Sequence, residues 1–255
     1  MDKNKEVYEN QKISSRYFGW HWLFPPEKKF LQTLSKSNLP LKMLDVGIGG
    51  GRTTYSFAPK VAHYTGIDYS GAMIRYCKRK YKSMKNVELF EMDARDLSAF
   101  PDDQFDIVLF SFNGIDCVDY EGRTRILAEF RRVLKPGGTL LFSFHNVRHL
   151  YNLYSFQMPN SPFTIPWELK RIKMLHKLNG PPSQYVGKEI FSMYDGADNF
   201  HTLIFYLLPE KQLKDLHQAG FELMQWWDLK SGKTIESHQL VDTAIPWIFV
   251  QAHKL

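Results

Sequence analysis

The first place in this sequence where backbone and side chains could do chemistry is a loop rich in glycine. Asp45, Gly47, Gly49 and Gly51 stand at alternate positions where a short apolar run, 41–46, gives way to small residues. Glycine permits a tight turn and leaves bare backbone N–H groups within reach of a ligand. The pattern therefore predicts a nucleotide-like ligand at this loop, although several nucleotide-binding families share it.

Two further aspartates follow the next two apolar runs. Asp68 comes 23 residues after Asp45, and Asp93, followed by Ala94, comes 25 residues after Asp68. A carboxylate after the second strand can accept both hydrogen bonds of a ribose diol. One after the third strand can accept a hydrogen bond from an adenine amino group. Either aspartate alone is typical of a turn, but the series of loop, Asp and Asp favours an adenosine-containing ligand.

His145 is the residue best placed to act as a proton acceptor. It ends the fifth apolar run, and open α/β sheets bind ligands at the carboxyl ends of their strands. The alternative is that His145 only makes a hydrogen bond within the segment that covers the site. Tyr17, Tyr194 and His201 are further candidates without a positional argument.

Strand-like and helix-like segments alternate over the first part of the chain. Apolar runs of strand length occupy 41–46, 63–67, 87–90, 105–112 and 139–144, and helices are predicted at 70–81, capped by Ser70, and at 122–134. This alternation predicts a parallel sheet with helices on both faces.

The remaining chain divides around that core. Residues 1–40 predict a helical arm or lid, 41–145 the cofactor-binding core, 146–202 an inserted substrate lid, and 203–255 the end of the core sheet. The lid contains a helix at 167–178 with a basic face, and the last part contains strands at 203–208, 221–229 and 247–252 and a helix at 209–219.

Composition limits the class of protein. The chain has 255 residues, 44% of them hydrophobic, with no apolar run long enough for a membrane span. Its two cysteines give neither a disulfide framework nor metal-ligand spacing, so we expect a cytoplasmic protein without a metal. The net charge of +6 is compatible with a phosphate-bearing partner, but the basic residues are scattered along the chain.

These motifs resemble those of the class I S-adenosylmethionine-dependent methyltransferases. The glycine loop matches the first motif of that family, 66–70 the second, Asp93-Ala94 the adenine motif, and 131–138 the turn before the fifth strand. The resemblance implies a three-layer α/β sandwich with a mostly parallel seven-stranded sheet, an antiparallel last strand and an inserted substrate lid.

The resemblance also implies a role for each matching residue toward S-adenosylmethionine. Asp45 orients the loop or receives the cofactor's amino group. The other expected contacts are, in chain order, Gly47 and Gly49 to the methionine part, Asp68 to the ribose, Tyr69 and Met73 to the adenine faces, Asp93 and Ala94 to its edge, and Ser111 and Asn113 near the sulfonium.

The resulting expectation is in-line methyl transfer to an O or N nucleophile of a small molecule, by a monomer or homodimer. A nicotinamide oxidoreductase fits less well, because the Tyr-x-x-x-Lys pairs at 76–80 and 81–85 come too early. An RNA or tRNA methyltransferase stays an alternative, but Asn113 is followed by Gly114 rather than by prolines, which argues against a flipped base. A non-catalytic cofactor-binding subunit is the other alternative.

Overall fold

The computed structural model describes residues 3–36, 39–159 and 161–255, and a ten-stranded sheet lies at its centre. The strands are β1 Lys42–Val46, β2 His63–Asp68, β3 Val87–Glu91, β4 Phe105–Phe110, β5 Leu134–Asn146, β6 Ile190–Met193, β7 Ile204–Leu207, β8 Phe221–Asp228, β9 Thr234–Ile235 and β10 Trp247–Lys254. The helices are α1 Lys3–Glu9, α2 Gln11–Ser14, α3 Pro25–Leu34, α4 Thr54–Phe57, α5 Gly71–Lys80, α6 Tyr120–Val133, α7 Leu150–Tyr154, α8 Ile165–Asn179 and α9 Pro209–Gln218.

The strand order identifies a doubly wound sheet. Its main path runs β3-β2-β1-β4-β5-β10-β8-β9, with β1 to β5 parallel and β10 antiparallel to both β5 and β8. The expected mostly parallel sheet with an antiparallel last strand is confirmed. Because the order reverses between β1 and β4, a crevice opens beyond the carboxyl ends of these strands.

The sheet has ten strands where seven were expected, and two of them, β6 and β9, were not predicted as strands from the sequence. β9 pairs with β8, β6 pairs with β7, and β7 joins β5 through only two residue pairs, His145 with Tyr206 and Asn146 with Leu207. The strand expected at 203–208 is therefore chiefly half of a hairpin with β6, at the edge of the predicted lid, rather than a full strand of the core.

Alternating residues of the central strands fill two separate cores. Leu44 and Val108 pack with α6 and α9 on one face of the sheet, whereas Met43 and Ile107 pack with α3, α4 and α5 on the other. The central strands β1 and β4 are thus buried on both faces, as expected for a parallel sheet covered by helices. The result is the three-layer arrangement.

Among the strand boundaries that differ from expectation, two have a clear local reason. The fifth strand begins at Leu134 rather than at 139, because the Pro-Gly-Gly sequence is accommodated within an extended segment in which Gly137 has φ +72°. The fourth ends at Phe110 rather than at 112, because Phe112 and Asn113 turn into the left-handed region, with φ of 55° and 58°.

The segment between β5 and β7 has a small core of its own. Leu150 and Tyr154 from α7, Leu175 from α8 and Phe191 from β6 pack together beside Tyr206 of β7. Residue 160 of the predicted lid, and 1–2 and 37–38 of the predicted arm, lie outside the described residues. Within the described ranges, no helix combines the length and the apolar character needed to cross a bilayer.

Candidate active site

A cavity of about 340 Å³ lies in the crevice beyond the carboxyl ends of β1 to β4. All ten cofactor residues expected from the sequence, from Asp45 to Asn113, line it, and so does His145. The other side of the cavity is formed by Tyr8, Tyr17 and Trp20 of the arm, with Ala197 and Asp198 from the segment before β7. The fold therefore gathers the predicted residues into one site.

The glycine loop has the conformation that its residues suggested. Gly47, Gly49 and Gly51 have φ of 62°, 52° and 76°, values that other residues seldom adopt. A Cβ on Gly47 would lie 2.7 Å from the ring of Phe110, whereas one on Gly49 would meet no heavy atom within 4 Å. The space beside Gly49 is thus open to a ligand.

Asp68 holds this loop to the second strand. Its Oδ2 accepts a hydrogen bond from the Gly49 N–H at 2.9 Å, and its Oδ1 accepts one from the Ser70 N–H at 2.8 Å. Burial raises the pKa of the Asp68 carboxyl to about 6, despite these two N–H donors. Each oxygen keeps a second lone pair, so the carboxylate can still accept from a diol.

Asp45 acts on the loop from the first strand. Its Oδ2 accepts hydrogen bonds from the Thr53 hydroxyl and the Tyr64 hydroxyl, both at 2.5 Å. Burial raises the pKa of Asp45 to about 7, and the two hydroxyl donors act in the opposite direction. Of the two roles considered for Asp45, these contacts support the orientation of the loop.

The adenine end of the cavity contains an ion pair. The Arg95 guanidinium donates to both carboxylate oxygens of Asp93, with the shortest bond at 2.6 Å. Burial alone would raise the pKa of Asp93, but the hydrogen bonds from Arg95 hold it below its usual value. Asp93 therefore already has a donor, which sequence reasoning did not foresee, and an adenine amino group would share the carboxylate with Arg95.

At the tip of β4, the hydroxyl of Ser111 is used inside the protein. It donates to the buried carboxylate of Glu27 and accepts from Arg52 at 2.9 Å, and Arg52 in turn forms a two-bond ion pair with Glu27 at 2.6 and 2.7 Å. Ser111 thus lies at the expected place, with its oxygen committed to a Glu27–Arg52 network. This network connects α3 to the residue that follows the glycine loop.

Asn113 has a free acceptor at the same tip. Its N–H donates to the Ser143 hydroxyl at 2.8 Å, and its Nδ2 lies 3.4 Å from the Nε2 of His145. Its Oδ1 is buried at the cavity wall with no hydrogen-bond partner among the described residues. A buried amide oxygen left without a donor is costly, so this position is suited to a donor on a bound molecule.

The His145 ring is held by an aspartate that sequence reasoning missed. The Nδ1 of His145 and its backbone N each lie 2.7 Å from the Oδ2 of Asp116, which is fully buried. Asp116 also pairs with the buried guanidinium of Arg123, whose other branch reaches Gln212. An Nδ1–H that donates to Asp116 leaves the lone pair on Nε2, beside Asn113.

The N-terminal arm closes the cavity from the side of the predicted lid. The Tyr17 hydroxyl donates to both carboxylate oxygens of Asp198, at 3.0 and 3.1 Å, and burial beside this carboxylate raises the pKa of Tyr17 well above its usual value. The backbone of Tyr17 lies against Gly50, where a Cβ would come within 2.1 Å of its carbonyl oxygen. Tyr17 is thus part of the site, whereas Tyr194 and His201 are not among the residues that line the cavity.

Comparison with known proteins gives the family of the core. The family description "Methyltransferase domain" matches residues 43–138, the part that carries the glycine loop and both aspartates. Over these residues the chain is similar to a methyltransferase domain, in agreement with the motifs of the core. S-adenosylmethionine is the cofactor that this match and the named structural neighbours imply for the domain.

Individual relatives agree with the domain and differ in what they do. A demethylmenaquinone methyltransferase of Staphylococcus saprophyticus is 39% identical over 103 residues, which is 39% of this chain and 42% of that protein. An S-adenosylmethionine-dependent methyltransferase from Mesorhizobium loti, 15% identical, superposes with a TM-score of 0.63 over 90% of this chain and 98% of its own. The [4+2]-cyclase SpnF, 16% identical, has a TM-score of 0.58 over 98% and 93%. The chain spans less than half of the curated relative, and a cyclase shares the fold, so the reaction must be argued from the site.

The residues of the methyltransferase domain fit S-adenosylmethionine. The open space at Gly49 leaves room for a ligand. The Asp68 carboxylate can accept hydrogen bonds from a diol, and the unpartnered Oδ1 of Asn113 can accept one from an ammonium group. The methionine part, the ribose diol and the ammonium group of the cofactor need features of these kinds.

Proposed function

We propose that this protein transfers a methyl group from S-adenosylmethionine to an O or N nucleophile of a small molecule, with His145 as the proton acceptor. The observation that carries the proposal is the pairing of His145 with buried Asp116, 2.7 Å from Nδ1, at the wall of the cofactor cavity. A hydroxyl or ammonium acceptor must lose a proton during methylation, and an oriented imidazole is the common base for that step.

The bound cofactor supplies an electrophilic methyl group on a sulfonium. The residues of this chain position the cofactor and the acceptor. Gly47 and Gly49 admit the methionine part, Asp68 accepts from the ribose hydroxyls, and Tyr69 and Met73 border the adenine. Holding donor and acceptor in line removes much of the entropic barrier, and the arm excludes water from the reacting groups.

The acceptor we propose is a partly apolar molecule with a ring. Four aromatic side chains, Tyr17, Trp20, Phe112 and Trp247, line the cavity on the side of His145. Such rings favour stacking with a planar substrate. The similarity to proteins named demethylmenaquinone methyltransferase also favours a ring-bearing acceptor over a nucleic acid.

The test is a methyl-transfer screen with isotopically labelled S-adenosylmethionine against phenols, hydroquinones and aromatic amines, read by mass spectrometry. With an acceptor in hand, Asp116→Asn should lower kcat by about 100-fold or more, because the amide reverses the hydrogen bond to Nδ1 and places the proton on Nε2. Binding of S-adenosylhomocysteine should not change. His201→Gln, at an exposed histidine outside the cavity, is the matched control.

Two results would contradict the proposal. Tight binding of S-adenosylhomocysteine without transfer to any acceptor would favour a cofactor-binding subunit. A wild-type kcat in Asp116→Asn, with the same pH profile, would remove the proton-acceptor role of His145.

A further inference from the structure

Residues 151–178 expose an unusual amount of apolar side chain. Seven of the sixteen large hydrophobic residues that are exposed in the described chain fall in this stretch. They include Phe163, 90% exposed, Met158, 78% exposed, and Trp167, 69% exposed. Single exposed hydrophobics are ordinary, but a contiguous group indicates an interaction surface.

Contacts within the segment bring the chain that leads to Met158 to the N-terminal end of α8, where Trp167 lies. The Gln157 N–H donates to Glu168 at 2.8 Å, and Arg171 donates to the carbonyl oxygens of Leu153 and Ser155 at 2.5 and 3.0 Å. The chain before residue 158 is therefore tied to the first two turns of the helix.

The exposed face of α8 is basic beside this apolar end. Trp167, Lys170, Met174 and Lys177 recur at spacings of three and four, while the buried side of the helix carries Leu175. We call Met158, Phe163, Trp167, Lys170, Lys173 and Lys177 the basic–aromatic surface.

The lysines of this surface have no acidic partner. No ion pair involves any of the three in the described part of the chain, and Lys170 lies 5.5 Å from the centre of the Trp167 ring. Glu168 is the sole acidic residue in the sequence from 147 to 188, and Arg171 already pairs with it at 2.6 Å. The same stretch contains six lysines and arginines, so its positive charge is unbalanced.

We propose that the basic–aromatic surface docks on the headgroup region of an anionic lipid bilayer. Aromatic and aliphatic side chains enter the boundary between headgroups and acyl chains, while lysines extend to the phosphates. A protein partner fits less well, because lysine is depleted from the cores of protein interfaces.

The buried side of the helix that carries the surface packs in a cluster that adjoins the cavity, but the surface does not depend on the chemistry of the cavity. Leu175 of α8 packs in the same cluster as Tyr206, whose ring centre is 5.0 Å from that of His145. Docking would therefore bring the lid side of the cavity near the lipid. The proposal stands independently of methyl transfer, since its test measures binding alone.

The experiment is flotation of the full chain with vesicles of phosphatidylcholine, with and without phosphatidylglycerol. We expect binding to the anionic vesicles, weak binding to the neutral ones, and release at high salt, because salt screens the lysines. Replacing three lysines by glutamine should weaken binding by about 100-fold, at about 1 kcal/mol for each lysine. The three substitutions are K170Q, K173Q and K177Q.

A second variant tests how much the apolar side chains contribute to vesicle binding. Two control variants test whether the effect depends on where the substitutions lie. Phe163→Ser with Trp167→Ser should weaken binding by about 10-fold or more, because burial of one aromatic side chain is worth at least this much. The charge control replaces exposed lysines elsewhere and should bind like the wild type; its substitutions are K60Q, K82Q and K85Q. The apolar control is Met224→Ser, at a side chain that is 55% exposed on β8. Unchanged thermal unfolding of each variant shows that it is folded.

Three outcomes would overturn the proposal. The first is an absence of binding to anionic vesicles. The second is equal loss of binding in the K170Q triple variant and in its charge control. The third is that the Phe163 and Trp167 substitutions abolish self-association, or binding to a single-stranded RNA probe, while vesicle binding stays the same.

Discussion

The replacement of Asp68 by Asn tests the cofactor site most directly. Asp68 is buried, and each of its carboxylate oxygens accepts one backbone N–H and has one lone pair left for the cofactor. Asn keeps the shape but has a single acceptor oxygen, so its NH2 group must face either the Gly49 or the Ser70 N–H. The substitution therefore weakens the diol contacts and loosens the glycine loop.

The size of the effect follows from these contacts. A hydrogen bond to a charged group contributes about 1–1.5 kcal/mol more than a neutral one, so two ribose hydroxyls give about 2–3 kcal/mol. We expect S-adenosylhomocysteine to bind about 30- to 150-fold more weakly to Asp68→Asn, by the usual conversion of about 1.4 kcal/mol to tenfold. Titration calorimetry at neutral pH measures this directly, and Glu88→Gln, at an exposed carboxylate on β3, is the control.

The raised pKa of Asp68 predicts a pH dependence of cofactor affinity that simple loss of the fold would not produce. Because burial raises this pKa to about 6, the carboxylate is ionised above that pH and protonated below it. The ionised form accepts from the diol, so wild-type affinity should fall as pH decreases through 6, by about tenfold for each further pH unit. Binding near pH 6 should release protons, which calorimetry in two buffers detects. If Asp68→Asn retained wild-type affinity and the same pH dependence, the ribose assignment would be wrong.

Two other substitutions test the fold around the site. Glu27→Ala should lower the free energy of unfolding by about 3–5 kcal/mol in denaturant titration, because it leaves a buried guanidinium unpaired; Glu121→Ala, at an exposed ion pair, should change it by less than about 1 kcal/mol. Gly51→Ala should cost more stability than Gly137→Ala, since both glycines have φ above 70° but only at Gly51 would the Cβ strike a neighbour, Tyr81 at 2.5 Å. Equal unfolding temperatures of the two alanine variants would contradict the argument from space.

The cofactor side of the site could be predicted from sequence because its signals are local. Gly49, Asp68 and Asp93 each follow a strand that the apolar pattern reveals, and parallel strands end at one edge of the sheet. The hairpin of β6 and β7 was only half expected, because 190–193 is short and its partner is chosen by tertiary packing. A run of four apolar residues carries too little periodicity to specify a strand.

The polar networks could not be predicted, because they join residues that are distant in sequence. Asp116 reaches His145 across 29 positions, and Ser111 reaches Glu27 across 84. An acidic residue among apolar neighbours, as Asp116 is in the sequence, indicates a buried carboxylate that needs a partner. No sequence pattern, however, indicates which buried group would neutralise the Asp116 carboxylate.

The contacts of the N-terminal arm also have a consequence for biosynthesis. Asn4 accepts the Leu203 N–H, and Tyr17 donates to Asp198, so these bonds join residues separated by 199 and 181 positions. At ordinary rates of translation, the arm would wait about 10–40 s on the ribosome for these partners to emerge. During that interval the glycine loop and its strands can fold, but the contacts by which the arm closes the cavity cannot yet form. The arm is therefore made before the residues that it contacts and docks late, and a chaperone or a nascent-chain protease would meet it before the cofactor site is closed.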